Sequence, residues 1–258
     1  MRYGDWAVVT GASSGIGRAF ALQLAQTGMK VVLVARDKNQ LSQIAQEIQQ
    51  ASRVETRCYD LDLTRPESVG LLDRYTLDLD VGLLVASAGF GTAGAFIDSD
   101  LDQQLTMVDL NCRSLMELTY RFCQRFRSRP RSGIILLSSI VAFQGMPFSA
   151  NYSATKAYVQ SFAESLSHEL AAESIDILAV APGPTDTAFA KRAGMKMNAT
   201  ASAETVASAS LRAIGKRTTI LPGFLAKLLG GPIAWLPRTA RVWIMGQIGK
   251  GMIDHGKG

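Results

Sequence analysis

The sequence predicts an α/β chain built on a doubly wound parallel sheet of about seven strands, with helices on both faces. Short apolar, β-branched runs recur at 7–10, 31–35, 54–59, 81–86, 134–138, 175–180 and 219–221, each too short to be a membrane-spanning helix. Helix-length segments separate them, and near-continuous apolar strands flanked by helices belong to a parallel sheet covered on both sides. At 258 residues the chain can bury one substantial core, so residues 1–258 are expected to form a single domain.

The first strand runs directly into Thr10-Gly11-Ala12-Ser13-Ser14-Gly15-Ile16-Gly17. Gly11 to Gly15 fits the G-x-S-x-G elbow of a serine hydrolase, with Ser13 as nucleophile, and it also fits a glycine-rich turn that cradles a pyrophosphate. Position decides between them. A hydrolase elbow normally follows several strands, whereas Ser13 follows the first. In a strand-to-helix turn, Gly11, Gly15 and Gly17 let the backbone approach a diphosphate, and the helix N-terminus supplies unpaired N–H groups.

The second strand ends at Ala35-Arg36-Asp37, and Leu41, Ile44, Ala45 and Ile48 then keep a helical period. The third leads to Asp60-Leu61-Asp62-Leu63-Thr64 and the fourth to Ala86-Ser87-Ala88-Gly89. The 101–128 stretch, which contains Asn111, is long enough for two helices. The fifth strand ends near Ser138 and Ser139, and 150–173 reads as one helix carrying Tyr152 and Lys156. Those two are four residues apart, hence neighbours on one helix face. A phenol with a reference pKa of about 10 is a poor base at neutral pH, but a nearby ammonium favours the phenolate and makes it a usable acid/base. Ser139, at the C-terminal end of a central strand, lies where open α/β sheets place ligands, and its hydroxyl could donate to a carbonyl oxygen.

T-G-x-x-x-G-x-G, Ala86-Ser87-Ala88-Gly89, Asn111, Ser139, Tyr152-x-x-x-Lys156 and Pro182-Gly183 occur in the order of the short-chain dehydrogenase/reductase family, which the chain resembles up to about Thr187. The resemblance implies a Rossmann fold and a catalytic set of Asn111, Ser139, Tyr152 and Lys156. Asn111 would hold a backbone irregularity and a water that relays protons from Lys156. Ser139 is preferred to Ser138 because its offset from the tyrosine matches the family's. Cofactor contacts are implied for Gly11, Ser13, Ser14, Gly15, Ile16, Gly17, Arg36, Asp62, Ala88, Gly89, Tyr152, Lys156, Pro182, Gly183, Thr185 and Thr187. Asp62 matches the family's adenine-contacting aspartate better than Asp60. Ala86-Ser87 departs from the family's paired asparagines, a change expected to loosen cofactor contacts while sparing catalysis.

An enzyme selecting NAD usually carries an acid at the end of the second strand to bind the ribose 2′-hydroxyl. Here Ala35 is followed by Arg36, whose guanidinium can fork onto a 2′-phosphate, so NADP(H) is expected, with Ser14 and Arg18 as helpers. Asp37, one residue later, is expected to face solvent. The expected activity is that of an NADP(H)-dependent carbonyl reductase or alcohol dehydrogenase, with a 3-ketoacyl thioester reductase or a non-catalytic NADP(H)-binding regulator as alternatives.

Residues 185–203 form the expected substrate lid, whose Phe189, Met195 and Met197 favour an apolar ligand. Family members pair through the 101–128 and 150–173 helices, which implies a homodimer or homotetramer. From 220 to 249 the chain is apolar and basic without a single acid. Three prolines and three charges break any spanning helix, leaving three readings: cleft cover, subunit contact, or an in-plane membrane anchor at an anionic surface.

Composition narrows the rest. Residues 189–258 hold eleven Lys and Arg against only Glu204 and Asp254, yet the chain lacks the basic and aromatic interleaving of a nucleic-acid binder, so none is expected. Two histidines make a metal centre unlooked for. Cys58, Cys112 and Cys123 are expected as buried thiols in a reducing compartment, and the absence of an apolar leader points to a cytoplasmic protein.

Overall fold

The computed structural model describes residues 3–187, 189, 193–194, 201–223 and 236–252. Its strands are β1 (Trp6–Thr10), β2 (Lys30–Ala35), β3 (Thr56–Asp60), β4 (Val81–Ala86), β5 (Ser132–Leu137), β6 (Ile175–Val180), β7 (Thr185–Asp186), β8 (Ala201–Ser202) and β9 (Thr219–Ile220). The helices are α1 (Gly15–Gln26), α2 (Lys38–Ser52), α3 (Ser68–Tyr75), α4 (Leu101–Val108), α5 (Leu115–Phe126), α6 (Ala150–Glu169), α7 (Ala203–Ala213) and α8 (Arg238–Met252).

Seven strands form one sheet in the order β3-β2-β1-β4-β5-β6-β9, every pair parallel. The period-2 alternation of a strand explains the two layers. Ala7 and Val9 of β1 point to one side, where Phe20 and Leu24 of α1, Leu41 and Ile48 of α2 and Val206 of α7 cover them. Val8 points to the other, against Leu72 of α3, Phe122 of α5 and Val159 of α6. This is the doubly wound architecture, and strand order reverses between β1 and β4. Open sheets of this kind bind ligands outside the carboxyl ends of the strands at that reversal.

Several boundaries differ from the sequence reading. β3 begins at Thr56 rather than 54 and is only half-covered, because it is the sheet's edge strand. For the same reason Cys58 is exposed; with Cys112 half-buried in the turn between α4 and α5, Cys123 is the one buried thiol of the three. β5 ends at Leu137, so Ser138 and Ser139 both lie beyond the strand. The helix expected over 150–173 stops at Glu169, and a 3₁₀ turn (Ala171–Glu173) with Ser174 in the left-handed region (φ 57°) reverses the chain into β6. Over 101–128, α4 and α5 are joined without a loop by a π-helical turn (Asp109–Ser114).

Candidate active site

The carboxyl ends of the central strands open on a cleft of about 330 Å³. At one end is the glycine turn. Gly11 has φ +66°, and a Cβ there would stand 3.0 Å from the Ala88 backbone, so the turn packs directly on the segment after β4. A Cβ on Gly17 would run into the Gly11 carbonyl oxygen. Both positions therefore require glycine. The turn leads into α1, whose first N–H groups have no partner within the helix. The Thr10 hydroxyl accepts from the Ser87 and Ala88 N–H groups, both at 3.1 Å. That tie, which sequence reading missed, holds the main chain at Ser87-Ala88, next to the Ala86-Ser87 pair that stands in place of the family's asparagines. Ser13, Ser14, Ile16, Ala88 and Gly89 line the same cleft.

Arg36 is the first residue past β2, exposed at the mouth of this cleft. Asp37 caps α2 by accepting from the Gln40 N–H at 3.0 Å, so its carboxylate is engaged by the helix start. Asp62 lines the cleft, whereas Asp60 is exposed outside it. Burial pushes the Asp62 pKa up, but hydrogen bonds from the Thr64 hydroxyl (2.8 Å) and N–H (3.1 Å), with the charges of Arg36 and Arg65, hold it below the usual carboxylate value. Arg18 lies elsewhere: its guanidinium grips Glu47 of α2 at 2.8 and 2.6 Å and it is not part of the cleft wall.

The other end holds the hydroxyls. Ser139, Tyr152 and Lys156 are all buried against the cleft. The Ser138 hydroxyl donates to the Lys156 carbonyl oxygen at 3.2 Å, tying it to the α6 backbone, while the Ser139 hydroxyl interacts with the Tyr152 phenol. This favours Ser139 of the two serines. The Lys156 ammonium donates to the Leu137 carbonyl oxygen at 2.7 Å and sits 5.8 Å from the centre of the Tyr152 ring. Burial pushes the phenol up to about 12, with Ser139 pulling the other way, and lowers the lysine to about 8. Near neutral pH the pair is thus a neutral phenol beside an ammonium, able to give up a proton whose loss the ammonium stabilises.

Asn111 stands in the π turn, buried but not itself in the cleft wall. Its amide donates to the Phe90 carbonyl oxygen (2.9 Å) and the Thr155 hydroxyl (3.0 Å), and its oxygen accepts from the Phe90 N–H (3.1 Å). It thereby joins the β4 loop to α6, one residue from Lys156.

Pro182, Gly183, Thr185 and Thr187 line the roof of the cleft after β6. The β7–β8 pair ties the ends of the 185–203 segment, and the Phe189 ring lies 5.5 Å from that of Tyr152. Met195 and Met197 lie outside the described residues. Met245 and Ile248 of α8 also line the cleft, roughly a hundred residues beyond the tyrosine. No local pattern marks them for that place.

A family model described as short chain dehydrogenase matches residues 5–198. The chain is 32% identical over 228 residues to a 7beta-hydroxysteroid dehydrogenase of Clostridium sardiniense, covering 87% of each chain. It is 29% identical over 256 residues to the very-long-chain 3-oxoacyl-CoA reductase of Homo sapiens, covering 98% of this chain and 82% of the relative. Among solved structures, a short-chain dehydrogenase from Sphingobium yanoikuyae in complex with NADPH superposes with a TM-score of 0.79 at 30% identity, covering 84% of this chain and 86% of that one. With the glycine turn, the buried Ser139, Tyr152 and Lys156 and the parallel sheet beneath them, these matches establish that the chain belongs to the short-chain dehydrogenase/reductase family of oxidoreductases.

Proposed function

We propose that the chain is an NADP(H)-dependent oxidoreductase that reduces the carbonyl of a bulky apolar substrate, or oxidises the matching secondary alcohol. The observation that carries this reading is the convergence of Ser139, Tyr152 and Lys156 on the same cleft as the glycine turn. That turn suits a dinucleotide, since Gly11, Gly15 and Gly17 line the cleft without side chains beside the start of α1, whose N–H groups favour a diphosphate. Asp62, in the same cleft lining, suits a contact to the adenosine, and Arg36, whose neighbour Asp37 is engaged in capping α2, suits a 2′-phosphate.

When bound, the nicotinamide supplies or accepts the hydride. Everything else falls to the chain. Ser139 donates its hydroxyl proton in a hydrogen bond to the carbonyl oxygen as charge builds there. Tyr152 releases its phenolic proton to that oxygen in reduction and takes it back in oxidation. Lys156 remains an ammonium, holding the cofactor ribose and stabilising the phenolate left behind. Asn111 keeps the π turn and the β4 loop fixed against α6, the place where a relaying water would stand.

The second reading is a 3-ketoacyl thioester reductase, favoured by the match along almost the whole chain to a very-long-chain 3-oxoacyl-CoA reductase. Both readings predict NADPH consumption, and initial rates with simple bulky ketones beside 3-ketoacyl thioesters separate them. A chain that binds NADPH and consumes none across the whole panel would be a regulator instead.

Assembly as a homodimer or homotetramer is part of the proposal, as is a cytoplasmic location. In the tail, α8 turns Met245, Gly246 and Gly249 inward and leaves Trp243 as its large exposed apolar side chain. That supports the cleft-cover reading for 238–252. Among the described residues no helix is long and apolar enough to cross a membrane. The anchor reading for 220–249 also takes in 224–235, which lie outside the described residues, and would need acidic vesicles to retain the intact protein at low salt.

A further inference from the structure

We infer that α8 is the far wall of the substrate subsite, and that Met245 and Ile248 set the size and shape of the hydrocarbon body the enzyme accepts. This rests on the reductase reading only for the position of the carbonyl, which Ser139 and Tyr152 fix.

The two ends of the cleft differ in chemistry. Glycines, serines, Arg36 and Asp62 line the end that suits a dinucleotide. Beyond Tyr152 the wall is Val141, Met146, Phe189, Met245 and Ile248, side chains without a charge or a hydrogen-bonding group stronger than a thioether. Met245, Val141, Met146 and Tyr152 belong to one apolar cluster with Met107 and Ile140, separate from the two cores that hold the sheet. A ketone whose oxygen reaches Ser139 and Tyr152 has its remaining bulk against this cluster.

The helix is seated for that task. Gly246 and Gly249 are buried, and Cβ atoms on them would stand 3.3 Å from the Pro147 ring and 2.6 Å from its carbonyl oxygen. The α8 backbone therefore rests directly on the 145–148 loop that leads into the helix of Tyr152. Arg241 adds a hydrogen bond to the Phe143 carbonyl oxygen at 3.5 Å. Glycines at these two positions bring Met245 and Ile248, which flank them in sequence, down into the cleft. Two thioethers in the wall, Met146 and Met245, suit a ligand of irregular outline, because methionine repacks around different shapes.

The test uses the full chain saturated with NADP⁺, where a ketone binds without turnover, and follows benzophenone and butanone binding by ligand-detected NMR. Met245→Ala and Ile248→Ala should each weaken benzophenone at least about 5-fold, the scale expected from losing part of a buried apolar contact, and leave butanone within about twofold. Ile248→Trp should exclude benzophenone and spare butanone. NADP⁺ affinity within about twofold of wild type verifies that each variant is folded. Benzophenone affinity unchanged in all three variants, equal losses for both ketones, or no benzophenone binding by the wild type would each overturn the wall. Should benzophenone bind and respond to the variants yet go unreduced when NADPH is supplied, the subsite stands and the reductase reading falls. If the wild type reduces benzophenone and the variants do so equally well, the reverse holds.

Discussion

Arg36 and Asp62 face the same mouth of the cleft, and their charges already act on each other, since the guanidinium helps lower the carboxyl pKa. A 2′-phosphate would give Arg36 a partner that a 2′-hydroxyl does not. Arg36→Ala should therefore weaken NADPH by about 10- to 150-fold, the cost of about 1.5–3 kcal/mol for a hydrogen bond to a charged group, and leave NADH almost unchanged. Fluorescence titration with both cofactors checks it, and equal losses would make Arg36 an ordinary surface residue. Lys156 gives a pH signature. Burial lowers its pKa to about 8, so the ammonium is present below that pH and lost above it. Because kcat/KM for NADPH reports the free enzyme, it should be level below about pH 7 and fall tenfold per unit above about pH 8. Lys156→Met should give a low profile without that fall. At this scale the sequence named residues that the fold brings to one cleft, because spacing on a helix and position after a strand are local properties. It could only prefer Ser139 to Ser138 by resemblance; the hydrogen bond that ties the Ser138 hydroxyl to the Lys156 carbonyl oxygen supports the same choice. Thr10 was missed, since its partners lie 77 and 78 residues away.

Strands and helices were legible wherever one period ran unbroken, and less so where the chain turns. α6 stops at Glu169 because the chain must reverse into β6, a demand made by the sheet and invisible in the helix's own residues. The π turn at Asp109–Ser114 widens the rod between α4 and α5 and places Asn111 against Phe90 and Thr155. That irregularity was implied by resemblance, and periodicity alone gives no sign of it. That α8 lines the cleft was only one of three readings the sequence left open for the tail, as its contacts run to segments about a hundred residues earlier. On the outside of the same helices, Leu101, Leu105 and Val108 of α4, Met116 and Tyr120 of α5 and Tyr158 of α6 are exposed. The three on α4 recur at helical spacing, and apolar groups gathered in this way mark an interaction surface. The proposed pairing of subunits should use it. Sedimentation of the wild type should give a dimer or tetramer, and Leu105→Glu with Tyr120→Glu should shift it to monomer while NADPH binding persists. A monomeric wild type at micromolar concentration would contradict the pairing.

At the scale of the whole molecule, the fold brings together a turn after β1, a serine after β5 and a tyrosine and lysine on α6, the first more than a hundred residues before the others in the chain. Parallel strands make this possible, because all of them end on the same side of the sheet. The sequence showed those pieces in order, and it left open among three readings whether the C-terminal segment would line the cavity they share. The central claim is that this convergence moves a proton from Tyr152 to a carbonyl oxygen. Its most direct measurement is the initial rate of NADPH oxidation with a bulky ketone by Tyr152→Phe beside the wild type, with NADPH affinity measured on both. The phenyl ring keeps the packing against Phe189 and removes only the hydroxyl, so affinity should hold within about twofold while kcat falls at least about 100-fold. Turnover by Tyr152→Phe at the wild-type rate would contradict the account.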